Sequence, residues 1–417
     1  MACVCPEEPK MSWKETGPMC ERAAFIKACE EREETMAALC RRFGISRKTG
    51  YKWLERYARE GDLGLLERSR APHQHPNMTS ADLESAIVAV RQEHRWGPKK
   101  IAVGLLRQFA AEEIPALSTI GDIVKRNGLL IPRRRRRHCS PSTQPLAHAV
   151  ESNRVWCADF KGWFCTADGH RVDPLTVSDA HSRYLLACQG MRGKTDTVHV
   201  MGVFETLFRS YGMPERIRTD NGAPFASTGL SGLSRLSVWW MRLGITPERI
   251  KPATPSENGR HERMHLTLKQ DTATPPAGTP RKQQEAFDRF VRYYNEERPH
   301  EALGQVVPAA VYAPSPRPYP ARMPAVEYGD DMQVRRVRGA GQMKWRGHDV
   351  LVSQALAYQT VGLSPIGDGV WEVYFCTTPI GIFEEKKLRV RAAKQGEKGV
   401  LYHKNSTVPP PPEEGEL

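Results

Sequence analysis

Three carboxylates stand where the sequence ends a strand or begins a helix. Asp159 follows Val155-Trp156-Cys157-Ala158, an apolar run that reads as a buried strand, and a carboxylate there is costly unless something positive pairs with it. Asp220 closes Arg218-Thr219-Asp220, where Asn221-Gly222 forces a turn. Glu262 falls in Asn258-Gly259-Arg260-His261-Glu262-Arg263, on the first turn of a helix after a flexible loop. Carboxylate oxygens are natural ligands of hard cations such as Mg²⁺. A different chemistry is written over the same residues: His261-Glu262-Arg263-Met264-His265 is an H-E-x-x-H arrangement, in which two imidazoles at i and i+4 bind zinc and the Glu acts as general base. Arg263 puts a cation inside the motif, and no downstream segment offers an obvious third ligand. His261 and His265 therefore read as surface or DNA-facing side chains.

The elements that must position these residues alternate in type. Short apolar strands are expected over residues 155–165, 172–177 and 184–188, separated by Gly or polar turns. A helix over 195–211 carries Val198, Met201, Phe204, Leu207 and Phe208 at helical spacing, and a strand over 216–219 follows. A helix over 230–243, a strand near Ile245 and helices from Arg260 and Pro280 complete the order βββαβαβα, a mixed α/β layer fold.

Before this segment the chain reads as all-helical. Residues 35–43, the break Gly44-Ile45-Ser46 and residues 47–60 form a helix-turn-helix pattern. Ser46 caps the second helix, and Lys48, Thr49 and Lys52 lie near its start, where a recognition helix meets DNA. Trp53, Leu54 and Tyr57 would equally serve as the core face of a plain helical hairpin. A second helical module spans about 81–130, with helices starting at Trp96-Gly97-Pro98-Lys99-Lys100-Ile101 and at Ser118-Thr119-Ile120. Between residues 91 and 140, 12 Lys and Arg face 4 Asp and Glu, so most of the chain's net charge of +13 sits there. Its peak is Arg133, Arg134, Arg135, Arg136 and Arg137, guanidinium groups that repel one another unless phosphates neutralise them. Such concentrated charge points to a polyanion.

In order along the chain, Trp156-Cys157-Ala158-Asp159, Thr219-Asp220-Asn221-Gly222, Asn258-Gly259-Arg260-His261-Glu262-Arg263 and Tyr294-Asn295-Glu296-Glu297-Arg298-Pro299-His300-Glu301-Ala302-Leu303-Gly304 resemble four motifs of one family. Residues 155–312 look like the retroviral-integrase core of bacterial insertion-sequence DDE transposases. The resemblance implies a ribonuclease-H-like fold, catalytic and metal-binding roles for Asp159, Asp220 and Glu262, and two Mg²⁺ or Mn²⁺ ions per site, with Asp159 bridging both. Two ions roughly 4 Å apart can clamp an in-line displacement at phosphorus. It implies DNA contacts for Asn258 and for Lys269, seven residues after Glu262. Asp179, in Val177-Ser178-Asp179-Ala180, also has a family echo, and a turn-stabilising Asp explains it equally well. One departure is length: 41 residues separate Asp220 from Glu262, more than is common in the family, and the excess is expected in the Gly- and Ser-rich stretch 227–237. Glu257, with 36 intervening residues, matches the bare spacing better, yet Glu262 has the helical context.

The expected organisation is a helix-turn-helix domain (1–75), a second DNA-binding module (76–131), a basic linker (132–150), the core (151–315), a Pro-rich linker (316–332), a small β-barrel (333–395) and a disordered tail (396–417). The expected partners are DNA, namely transposon terminal inverted repeats and target DNA, and further copies of the chain assembled on DNA ends. No apolar run approaches a membrane span and the cysteines show no repeated spacing, so a bacterial cytoplasmic, nucleoid-associated protein without a membrane partner is expected. Cys3, Cys5, His73 and His75 lack the spacing of zinc modules. A DNA-binding regulator with a dead core would keep the same modules, but three intact carboxylate motifs weigh against it.

Neutralising all five arginines from Arg133 to Arg137 should weaken binding to every DNA sequence alike. It should also flatten the salt dependence by about 0.9 per lost phosphate contact. Filter binding across a salt series reads both, and an unchanged slope would make the segment a solvated tether.

Overall fold

A computed structural model describes residues 17–68, 78–130, 146, 148–191, 195–250 and 259–392. Arg133 to Arg137, Glu257, Asn258, Cys3, Cys5, His73, His75 and the C-terminal tail lie outside the described residues. The chain forms two compact units, residues 1–79 and 80–417.

In the first unit, α1 (Pro18–Glu31), α2 (Met36–Arg42) and α3 (Arg47–Glu60) enclose Phe25, Ile26, Leu39, Cys40, Trp53 and Leu65. Ser46 accepts from the Thr49 N–H at 3.1 Å, the cap expected from sequence. The α2–α3 crossing is tight at Gly50, where an added Cβ would fall 2.8 Å from Cys40 Sγ and 3.0 Å from Phe25 Cζ.

The second unit opens with α4 (Ala81–His94), α5 (Pro98–Leu105) and α6 (Leu117–Arg126), packed around Leu83, Ile87, Trp96, Ile101, Leu105, Ile120 and Ile123. The core follows as β1 (Val155–Phe160), β2 (Phe164–Cys165), β3 (Arg171–Asp179), β4 (Leu185–Met191), α7 (Thr197–Tyr211), β5 (Arg216–Thr219), α8 (Arg235–Arg242), β6 (Thr246–Arg249), α9 (Gly259–Thr272) and α10 (Pro280–Arg292). Its mixed sheet has β3 antiparallel to β1, β2 and β4, while β1–β5 and β5–β6 run parallel. Helix α7 covers one face through Val200, Phe204 and Phe208 against Trp156, Leu175, Val177 and Ile217. Helices α9 and α10 cover the other, where Met264, Leu268, Phe287 and Phe290 meet Val172, Leu185 and Cys188.

Two expectations change here. Residues 230–243 are not one helix: Leu230–Gly232 form a short turn with Ser231 at φ 50°, and α8 starts only after Ser234, whose side chain accepts from the Ser237 N–H. Nor are the prolines after 308 an idle connector. The Ser315 N–H donates to Tyr211 O at 2.7 Å, the Arg317 carbonyl accepts from Met213 N–H, and the Arg317 guanidinium reaches Pro214 O, Leu243 O and Gly244 O. Proline blocks helix formation without preventing an extended strap from lying along the core.

The C-terminal strands β7 (Gln333–Arg336), β8 (Gln342–Trp345), β9 (His348–Leu351), β10 (Thr360–Gly367), β11 (Val370–Phe375), β12 (Thr378–Glu384) and β13 (Arg389–Arg391) form a β-rich domain. The expected barrel is not closed. The five-stranded sheet runs β13-β12-β11-β10-β7, and β8–β9 is a separate hairpin touching both edge strands. A single bridge, Val337 to Met343, joins β7's exit to the hairpin, so side-chain packing rather than a continuous ladder fills the gap. No helix among the described residues is long and apolar enough to cross a membrane.

The stretch expected to hold the surplus length is where this sheet docks. Leu230, Leu233, Val238 and Met241 pack with Val337, Trp345, Val373, Phe375 and Phe383, while Leu236 and Trp240 of the same helix enter the α/β core. Leu233→Ala should cost about 2–5 kcal/mol, as for other buried leucines. Urea unfolding should then shift the core and the C-terminal sheet together; two separated transitions in the variant would show that the cores are independent.

Candidate active site

Strand register sets the first two carboxylates side by side. Parallel β1 and β5 pair Val155 with Arg216, Trp156 with Ile217 and Cys157 with Arg218. Extending that register by two residues puts Asp220 level with Asp159, on strands about 4.8 Å apart. Asp159 is half-buried near the end of β1, and Asp220 follows β5 directly. The turn after it is held by Asn221 Nδ2 donating to Ile250 O at 2.9 Å and by Phe225 and Ala226 N–H groups on Gly222 O. A Cβ at Gly222 would crowd Asp220 Oδ2 at 3.0 Å. Asp220 Oδ1 is buried without a hydrogen-bond partner.

Helix α9 brings the third. It buries His261, Met264, Leu268 and Thr272 and leaves Glu262, Arg263 and Lys269 exposed. Contrary to the sequence reading, His261 and His265 are not surface side chains. Both Nε2 atoms approach Thr176 Oγ1, at 2.7 and 2.8 Å, while the Thr176 hydroxyl donates to Asp159 O at 3.0 Å. A hydroxyl has one proton and two lone pairs, so both imidazoles must donate from Nε2. Their other nitrogens are then bare, and Ser178 Oγ stands 3.5 Å from His261 Nδ1. Burial holds His261 down to about 4 and His265 to about 3, neutral at ordinary pH. An imidazole pair consumed by one threonine does not present a zinc site, and Glu262 points away from it on the exposed side.

Because Thr176 pairs with Asp159 across β1 and β3, this contact seats the first turn of α9 above the β1 carboxylate. Asp159 and Asp220 lie on adjoining strand ends and Glu262 at the start of the covering helix. Among the described residues no three His, Cys, Asp or Glu side chains are gathered tightly enough to chelate a metal.

The candidate DNA contacts divide. Lys48 and Lys52 are exposed on α3, and Thr49 Oγ1 sits 2.9 Å from Ser46 Oγ within the cap. Lys99 Nζ pairs with Glu301 Oε1 at 2.6 Å, and burial followed by the Arg298 charge lowers Lys100 to about 8. Lys99 thereby joins the second module to the core beside Trp96 Nε1, which donates to Tyr293 OH at 2.8 Å, and His94, stacked on both rings. Lys269 is exposed. Lys161, which sequence reading passed over, lies 5.4 Å from the Phe164 ring, and burial and then the Lys269 charge lower its pKa. Two residues after Asp159, it adds a cation to the same rim; a lone Lys after a strand carries no motif that would have flagged it. Asp179 proves to be a turn residue: its oxygens accept from Asn153 N–H, Ser182 N–H and Ser182 Oγ–H.

This arrangement defines a core of one sheet between two helical layers, with carboxylates at adjoining strand ends, preceded in sequence by helical modules. The sequence matches the integrase core domain family over residues 149–255 and again over 243–308. It matches a helix-turn-helix domain over 21–73, a homeodomain-like domain over 49–124 and the IS481 family transposase C-terminal domain over 332–389. The chain thus carries an integrase core domain between helix-turn-helix domains and an IS481-type C-terminal domain, and it is similar to insertion-element proteins. It is 28% identical over 187 residues to the insertion element IS407 uncharacterized 31.7 kDa protein of Burkholderia multivorans, covering 44% of this chain and 64% of that one. It is 25% identical over 242 residues to the insertion element IS476 uncharacterized 39.2 kDa protein of Xanthomonas euvesicatoria, covering 56% and 65%. The match thus spans just under two thirds of each relative. Among solved structures, the HTLV-2 integrase catalytic core domain in complex with magnesium is 15% identical over 39% of this chain and 98% of its own, with a TM-score of 0.29. A simian T-cell lymphotropic virus intasome in complex with PP2A regulatory subunit B56 gamma is 16% identical over 69% and 95%, with a TM-score of 0.34.

Thr176→Val would strip both imidazoles and Asp159 O of their shared partner. A loss of about 1–3 kcal/mol in urea unfolding is expected for such orphaned buried groups, and Thr176→Ser should restore most of it. Full stability in the valine variant would show that the network does not seat α9.

Proposed function

We propose that this protein is a transposase that binds the ends of a mobile DNA element, cuts them and joins them to target DNA. The observation that carries the reading is the β1–β5 register that sets Asp220 level with Asp159 in an integrase core. Asp159, Asp220 and Glu262 would hold divalent ions. An all-oxygen donor set suits Mg²⁺ or Mn²⁺ better than zinc, and the unpartnered, buried Asp220 Oδ1 is an acceptor waiting for a cation. When bound, the ions neutralise charge on the attacking and leaving oxygens of the phosphodiester.

The protein's own groups do the rest. Lys269 and Lys161 line the rim where a DNA phosphate would lie, and Thr176 with His261 and His265 keeps α9 in place while staying neutral. Lys48, Thr49 and Lys52 on α3 would read base edges, and Arg133 to Arg137 with Asn258 would hold DNA near the core. Lys99, paired with Glu301, and Lys100, part-buried beside Arg298, have a weaker case as DNA ligands. Assembly of several copies on paired DNA ends fits a reaction that cuts two ends.

Asp159→Asn, Asp220→Asn and Glu262→Gln should each reduce nicking of a labelled element end by at least a hundredfold, leaving end binding within about twofold. Glu257→Gln should stay active. After EDTA treatment, Mg²⁺ or Mn²⁺ should restore nicking and Zn²⁺ should not. An active Glu262→Gln beside an inactive Glu257→Gln would reassign the third ligand, and binding without cutting under every metal would leave a DNA-binding regulator.

A further inference from the structure

A cavity of about 30 Å³ lies under the first turn of α9, between β1 and the end of β3. Cys157 and Ser178, opposite each other across the strands, line it, and Arg183, Arg260 and Tyr294 face into it. Cys157 is two residues from Asp159 on the same sheet face, about 7 Å along the strand, so the cavity is a neighbour of the carboxylates and distinct from them.

Two guanidinium groups and one carboxylate line this partly open site. Arg183 Nε is buried without a hydrogen-bond partner, and its backbone is left-handed, at φ 65°. Arg260 makes one long contact, to Ala180 O at 3.4 Å. Among the described residues neither guanidinium forms an ion pair. The lining carboxylate, Asp179, spends its oxygens on Asn153 and Ser182, leaving one committed negative charge against two positive ones. Burial and the facing Arg260 charge both work against the protonated form of Arg183. Arg260 is exposed and Arg183 half-buried; like charges that face each other favour an anion between them, and guanidinium is the side chain best shaped to clasp an oxyanion. The volume exceeds what one water needs, and the exposed Arg260 leaves the site open to solvent on one side.

We infer that this cavity is an oxyanion-binding site in which Arg183 and Arg260 hold one phosphate group, either the free ion or a phosphate of a DNA backbone. Arg260 is on α9 and Arg183 follows β3, so an occupant bridges the helix bearing Glu262 to the sheet bearing Asp159. The inference does not depend on the metal chemistry proposed above.

The test is calorimetric titration of the full chain with inorganic phosphate in chloride buffer. Wild type should show a saturable site that weakens at least tenfold in Arg183→Asn, a substitution that tolerates the left-handed backbone, and in Arg260→Gln. Arg209→Gln, exposed on α7, is the control and should match wild type. Circular dichroism checks folding, and if one variant is unfolded the other decides. Displacement of bound phosphate by duplex DNA lacking terminal repeats would identify a backbone phosphate as the occupant, and failure to displace it would identify the free ion. No saturable site in wild type, or equal binding in both folded variants, overturns the inference. Strand cutting is scored separately, so inactive protein that still binds phosphate would count against the proposed function alone.

Discussion

The candidate site rests on one hydroxyl. Thr176 has a single proton and two lone pairs, and it uses all three: it donates to the Asp159 carbonyl and accepts from His261 and His265. Strands β1 and β3 and helix α9 therefore meet at one atom, whose valence fixes the tautomers of both imidazoles. An apolar contact would also bury the helix, but it could slide; three directed bonds set its depth and rotation. Glu262 is on the exposed side because His261 is on the buried side. The neutral state of the histidines follows from the same burial, since a charged imidazole here would face its twin and Lys161.

Residues 80–417 hold together through shared elements rather than broad flat interfaces. Helix α8 gives Leu236 and Trp240 to one core and Val238 and Met241 to the other. Arg317 binds the strap after α10 to three backbone carbonyls near Pro214 and Gly244. Trp96, His94 and Tyr293 stack the second helical module onto the α10 end, where the helix widens into a π-turn over Tyr293–Glu297. That turn overlaps the motif that begins at Tyr294, which accordingly has a packing role.

Much of this was legible beforehand because it is local. The α3 cap at Ser46, the period of α7 and the strand ends at Asp159 and Asp220 are set by neighbouring residues, and each was found within a few positions of its expected place. What sequence concealed was long-range. His261 and His265 look like a polar helix face until a threonine 85 residues away in sequence meets His261. Leu230 to Leu243 reads as one helix, yet its Ser- and Gly-containing first part is a turn, with the Ser231 hydroxyl donating to the Ile380 carbonyl. Lys99 reads as a free cation because its partner Glu301 lies 202 positions on. The prolines signalled a break in regular structure correctly and said nothing of the carbonyls that Arg317 would find.

The divided loyalty of α8 bears on how this chain can be handled and on what it resembles when cut. A fragment ending in the proline strap would keep every carboxylate motif yet present Leu233, Val238 and Met241 to water as one greasy face. Contiguous apolar surface of that kind promotes self-association. The C-terminal sheet thus doubles as a cover over an adhesive patch, and the α/β core cut away from it is expected to self-associate.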